Sequence, residues 1–167
     1  MNKDCGFIKE NYWFRYRACA IIIEDDCVLV SRNDRVPYYY SVGGAVHLTE
    51  TAEEAAVREA YEETGVLYEI DRLAFVHENF FLGTWDDGDK KCHEVALYFL
   101  MKPKGVKEFN WESISSGAKE TVCWLPIDKL GDYEVYPTFF KDKLINFKDY
   151  IEHIVRERQF VGKPSLV

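Results

Sequence analysis

Residues 43–66 read GGAVHLTETAEEAAVREAYEETGV. Six are glutamates (Glu50, Glu53, Glu54, Glu59, Glu62 and Glu63) against one basic residue, Arg58. From Thr51 to Thr64 the composition turns to Ala, Glu and Arg, strong helix formers; Thr49 or Thr51 supplies a cap and Gly65 a stop. At about 100° per residue, positions three and four apart share a helix face. Glu59 and Glu63 therefore lie together with Glu62 beside them, and the same face carries Ala52, Ala55 and Ala56 toward the N-terminus. Carboxylates that continue a stripe of small apolar residues are badly placed for solvation. Packed together they repel by something on the order of 1 kcal/mol per close pair at an intermediate dielectric. A hard divalent ion, which takes oxygen ligands, would turn that repulsion into coordination. Glu53 and Glu54 fit a solvated surface instead, and Arg58 stands four residues from both Glu54 and Glu62, within pairing reach of either.

The fixed positions extend through the whole stretch: Gly44, five residues, Glu50, seven residues, Arg58-Glu59, two residues, Glu62-Glu63, one residue, Gly65, then Val66. This spacing resembles the Nudix box, with Ala60 the one soft position, a small residue where the box favours a bulkier aliphatic. The resemblance is to the Nudix hydrolase superfamily, and it implies Mg²⁺- or Mn²⁺-dependent cleavage of a nucleoside diphosphate linked to another moiety. It implies that Glu59, Glu62 and Glu63 hold metal with the Gly43 carbonyl as a further ligand. Glu50 would support the site from its loop, and Arg58 would orient the carboxylates. Metal neutralises the phosphates and lowers the pKa of bound water; a carboxylate must then accept the proton. Some members use a box glutamate as the base and others a later one, for which Glu120 is preferred here, with Glu112 and Glu94 behind it. The proline or tyrosine that marks some substrate subgroups shortly after the box is absent from Asn79–Gly83.

Around the box the pattern is mainly strand. Tyr16–Ile23 and the run from Cys27 to Arg32 flank a polar turn at Glu24-Asp25-Asp26 and read as a hairpin. Arg72–Leu82 and His93–Met101 read as a second pair across a polar loop containing Asp86, Asp87 and Asp89. A loop over roughly Lys102–Lys119 precedes a strand at Thr121–Leu125 and a helical turn at Pro126–Leu130. From Thr138 onward Phe140, Leu144, Phe147, Ile151 and Ile154 recur at helical spacing and predict a long amphipathic helix. The expectation is an α/β fold, a mixed β-sheet in an α/β/α sandwich. It forms one domain over residues 1–167, with 1–12 an N-terminal extension and 162–167 a frayed tail.

Arg15, Arg17 and Arg32 on the early strands are candidates for phosphates or base edges, and Tyr40, beside Tyr38 and Tyr39, for stacking on a base. His77-Glu78 and His93-Glu94 place neighbours on opposite strand faces, which favours packing over metal binding. A net charge of −8 argues against extended nucleic acid or an anionic membrane as partner. No apolar run approaches the length of a membrane span. Five widely spaced cysteines without a CxxC pair predict reduced thiols in a cytoplasmic protein. The partner expected is a nucleotide-type small molecule; a homodimer is compatible with the resemblance, although no stretch fixes an interface. Two alternatives use the same fold. One is a non-catalytic nucleotide-sensing module, which has no need of the complete box. The other is a prenyl diphosphate isomerase, which would want a cysteine where Tyr38–Gly44 has none.

Overall fold

The computed structural model describes residues 3–85, 88–109, 113–115 and 118–156. Asp86, Asp87, Glu112 and the tail at 162–167 lie outside the described residues. The strands are β1 (Gly6–Lys9), β2 (Tyr12–Ile21), β3 (Ile23–Glu24), β4 (Cys27–Asn33), β5 (Tyr39–Ser41) and β6 (Gly43–Ala45), followed by helix α1 (Ala52–Thr64). Then come β7 (Ile70–Trp85), β8 (Gly88–Met101), β9 (Ser113–Ser115), β10 (Ala118–Pro126), a 3₁₀ turn (Ile127–Asp132), β11 (Val135–Tyr136), α2 (Phe140–Lys143) and β12 (Glu152–Val155).

Among the described residues the strands form two sheets. One runs β1-β2-β8-β7-β12 with β6 also on β2; the other runs β11-β5-β4-β10-β9 with β3 also on β4. Both are mixed: β2 is parallel to β8 and β12 to β7, whereas β7–β8 and β4–β10 are antiparallel. The hairpin predicted at the polar turn is β3–β4, and β2 itself crosses into the other sheet.

Alternation along β2 and β4 feeds two cores. Ala18, Ala20 and Leu29 pack with Ala52, Ala55, Ala56 and Ala60, the small-residue stripe of α1. Cys19, Ile21, Val28 and Val30 pack with Leu130, Phe140 and Leu144 on the other side. The arrangement is the mixed α/β fold expected, with helices on both sides of the strands.

The predicted C-terminal helix does not form as such. The chain makes four residues of α2 and then β12, which lies parallel to Phe75–Glu78 of β7. Phe140, Leu144, Phe147 and Ile154 do reach the second core, so their spacing reported burial correctly, while Ile151 is exposed. Ile154 and Val155 are β-branched and find backbone partners on the open edge of β7, which favours strand over helix there. The long polar loop after β8 is likewise interrupted by β9, paired to β10. No helix among the described residues is long and apolar enough to cross a membrane.

Helix α1 occupies the predicted span. The Glu54 N–H donates to the Thr51 hydroxyl at 3.2 Å, and the Thr51 N–H donates to the Glu54 carboxylate at 2.8 Å. This capping box gives Glu54 a structural task beyond solvation, and it is Thr51, not Thr49, that caps. Gly65 ends the helix at φ 72°, its N–H bonded to the Tyr61 carbonyl at 2.8 Å.

Candidate active site

The box loop and α1 meet β2 at a cleft of about 1110 Å³. Gly43 and Gly44 sit in β6, which pairs with β2. Gly43 adopts φ 139°, and a Cβ there would lie 2.4 Å from the Ala18 carbonyl oxygen; a side chain is excluded both by backbone conformation and by the neighbouring strand. A Cβ on Gly44 would lie 2.3 Å from a carboxylate oxygen of Glu59. The missing side chain of Gly44 is therefore the space that Glu59 fills. Gly44→Ala is expected to push the Glu59 carboxylate aside, lowering kcat and weakening Mn²⁺ binding by about tenfold or more with little loss of helix content. Electron paramagnetic resonance of free Mn²⁺ and circular dichroism would check it.

Glu63 points from the last turn of α1 into the strands and is 6% exposed. Its carboxylate accepts from the Ser31 hydroxyl of β4 and, at 2.7 Å, from the Gly43 N–H. Burial pushes the Glu63 carboxyl well above the usual carboxylate range, and the nearby Glu120 carboxylate adds repulsion in the same direction. Burial also raises Glu59, against the pull of Arg58. Glu62 is the outermost of the three, its side chain 54% exposed.

Arg58 holds this group from one side. Its Nε and Nη2 donate to the two oxygens of Glu50 at 2.8 and 3.0 Å, Nη1 donates to Glu59 at 2.7 Å, and Nη2 also reaches the Ala45 carbonyl at 3.0 Å. Glu62 stands at 3.4 Å from Nη1. The same hydrogen bonds hold Glu50 below the usual carboxylate range, and Glu50 in turn accepts from the His47 N–H at 2.9 Å. Glu50 and Arg58 thus tie the loop to the helix.

Glu120 arrives from β10, opposite Asn33 in the ladder, and is 6% exposed. Its Oε1 accepts from the Tyr40 hydroxyl at 2.5 Å, and Asn33 donates to the same hydroxyl at 3.1 Å. Tyr40 lies on the cleft as expected, but its hydroxyl is committed to Glu120; burial and that carboxylate raise its pKa. Tyr39 turns into the second core against Tyr133.

Arg15 and Arg17 also line the cleft. Arg15 stacks over the Trp13 ring, 4.5 Å from its centroid, and pairs with buried Glu94 at 3.1 Å. Arg17 donates to the Gly43 carbonyl at 2.6 Å. Glu94 is therefore paired with arginine. Arg32 is exposed and does not line the cleft. It lies between Ser31 and Asn33, whose side chains meet Glu63 and Tyr40, so strand alternation sends it to the opposite face.

The chain's match to the NUDIX domain covers residues 13–145. It belongs to the Nudix family. A MutT-like protein of Streptomyces ambofaciens is 32% identical over 129 residues, spanning 76% of this chain and 74% of that protein. Diphosphoinositol polyphosphate phosphohydrolase 3-alpha of Mus musculus is 29% identical over 120 residues, 69% of this chain but 66% of its own length. Among solved structures, a MutT protein from Methanosarcina mazei Go1 superposes with a TM-score of 0.62 at 22% identity, over 84% of this chain and 100% of that one. At that identity the likeness is one of fold.

For this Nudix chain the oxygen donors suit a hard ion: three box carboxylates and a backbone carbonyl. Burial raises both Glu63, which is buried, and Glu59, which is partly buried. No three His, Cys, Asp or Glu side chains among the described residues stand close enough to form a ready cage. A divalent ion held by the three box carboxylates would need Glu62 to turn inward and Glu63 to share its bonds with Ser31 and Gly43.

Sequence reasoning missed Ser31, Asn33, Trp13 and Asn79 at this Nudix site. Each is placed by cross-strand register, which leaves no trace in local spacing. His77 and His93 behave as packing residues: His77 against Phe139 at 5.0 Å, His93 stacked on Phe80 at 4.4 Å.

Proposed function

We propose that this Nudix protein hydrolyses the diphosphate linkage of a nucleoside diphosphate joined to another group, with Mg²⁺, or Mn²⁺ in its place, held by Glu59, Glu62, Glu63 and the Gly43 carbonyl. The observation that carries the reading is the meeting of Glu59 and Glu63 from one helix face, the Gly43 loop and Glu120 from β10 at one cleft. The bound ion neutralises the diphosphate and acidifies its water. Arg58 keeps Glu59 aimed into the site, Ser31 and the Gly43 N–H orient Glu63, and Glu120 accepts the proton of the attacking water. Tyr40 holds the Glu120 carboxylate toward that task.

The cleft wall supports a nucleoside as the attached group. Register stacks its side chains in levels along the strands. Arg17 and His77 flank Ala96; Arg15 and Asn79 flank Glu94; Ile8 and Trp13 lie beyond, with Phe81 across Cys92. Successive levels are about 7 Å apart, two residues of strand. A ligand extending from the glutamates thus passes polar groups and reaches an aromatic level, where a base can stack. The cleft is lined by four arginines against six carboxylates. That balance disfavours a polyphosphorylated inositol, the type of compound in the mouse relative's name, because such a ligand needs an excess of positive charge.

A substrate panel with Mg²⁺ or Mn²⁺ tests the proposal: oxidised and ordinary nucleoside triphosphates, ADP-ribose, nucleotide sugars, dinucleoside polyphosphates and a diphosphoinositol polyphosphate, with phosphate measured after coupled phosphatase. At least one nucleotide is expected to exceed the inositol compound in kcat/KM by tenfold or more, about 1.4 kcal/mol. No turnover anywhere, with nucleotide binding retained, would favour the sensing module.

A further inference from the structure

Arg17 presents a conflict with the proposed metal site. Its Nη2 donates at 2.6 Å to the Gly43 carbonyl, the oxygen assigned there to the ion. A guanidinium at that distance and a divalent cation compete for the carbonyl, since two positive centres would stand a few ångströms apart in a partly buried site. Nor is the guanidinium fully seated. Its Nε is buried without a hydrogen-bond partner among the described residues, and Nη1 stands 3.9 Å from Glu94, beyond hydrogen-bond reach. Glu94, 4% exposed, already pairs with Arg15 and offers Arg17 a second place to go.

We propose that Arg17 is the resident cation of the metal-free site, holding the Gly43 carbonyl until a divalent ion displaces it toward Glu94. This rests on the metal-site reading above and adds a cost to metal entry: the ion must break a charge-assisted hydrogen bond before gaining its carbonyl ligand. Once displaced, the guanidinium faces the cleft at the level nearest the glutamates, where a substrate phosphate would meet it. The diphosphate then gains a partner only after the metal has arrived, so metal and substrate favour one another through Arg17.

The test measures Mn²⁺ alone, by electron paramagnetic resonance without substrate, in wild type, Arg17→Met, Arg17→Gln and Arg15→Met. Arg17→Met is expected to bind Mn²⁺ about tenfold more tightly than wild type, the order expected from removing one charge-assisted bond. Arg15→Met removes no bond to Gly43 but leaves Glu94 free to draw Arg17 away, so it is expected to tighten binding clearly less than Arg17→Met does. Arg17→Gln keeps a neutral donor and should fall between, and it carries the test if Arg17→Met fails to fold. With wild-type binding intact, unchanged or weaker binding in the Arg17 variants overturns the role of Arg17, as does equal tightening in Arg15→Met. Absence of Mn²⁺ binding in wild type and in every variant overturns the metal-site reading itself. A ¹³C label on the Gly43 carbonyl supplies a second readout: its shift should change on Mg²⁺ addition and, without metal, on Arg17→Met.

Discussion

Glu63→Gln is expected to lower kcat by on the order of 10³-fold and to abolish tight Mn²⁺ binding, while the metal-free protein stays folded and becomes no less stable. The first part follows from placement: Glu63 is the deepest box carboxylate, fixed by the Ser31 hydroxyl and the Gly43 N–H at 2.7 Å. The second follows from its raised pKa. A carboxyl whose folded value exceeds its unfolded value contributes stability fully below the ordinary carboxylate range, and that contribution is lost as pH rises through the folded value. The melting temperature of the metal-free wild type should therefore fall as pH climbs from the carboxylate range toward about 8, because the unfolded chain gives up this proton while the folded carboxyl, buried beside Glu120, keeps it. Glutamine removes this slope. Its amide oxygen can accept from Gly43 and its amide nitrogen can donate to the Ser31 oxygen, so neither neighbour is stranded. Mg²⁺ should raise the wild-type melting temperature most at the alkaline end of that window and leave the variant unmoved. Melting curves with and without Mg²⁺ across pH, beside steady-state kinetics, decide it. Full metal-dependent turnover in Glu63→Gln would remove Glu63 from the site.

Helix α1 and its carboxylates were legible because their information is local. The cap at Thr51, the stop at Gly65, the alanine face and the glutamate face all follow from a single helical period. Long-range placement was legible only where composition happened to match it. Glu120 could be nominated as a later carboxylate, but its junction with Tyr40 and Asn33 depends on the β4–β10 and β4–β5 registers. Arg32 shows the limit: a strand assignment is correct for Cys27–Asn33, yet one residue of parity decides whether a side chain enters the cleft or leaves it. The C-terminal segment shows another. Apolar spacing at Phe140, Leu144, Phe147 and Ile154 reported which residues are buried, but the open edge of β7 decided the backbone.

Glu120→Gln should separate proton transfer from metal binding. Glu120 stands against Glu63 but outside the helix face that carries the box, and its Oε1 is held by Tyr40 at 2.5 Å. Glutamine keeps an oxygen for the Tyr40 hydroxyl and loses the capacity to take a proton from water. The expected loss in kcat is about 10²–10³-fold, with KM little changed. Mn²⁺ affinity should hold or rise slightly, because removing the Glu120 charge relieves the repulsion that raises Glu63 and makes the metal-binding form easier to reach. Glu94→Gln offers the contrast: that carboxylate is paired with Arg15 at 3.1 Å, so its loss should act on substrate affinity and leave kcat largely in place. A joint loss of Mn²⁺ binding and turnover in Glu120→Gln would make Glu120 a metal ligand and return the role of base to one of the box glutamates. Retained metal binding with kcat lost and KM kept would leave Glu120 as the base, with Tyr40 as the residue that positions it.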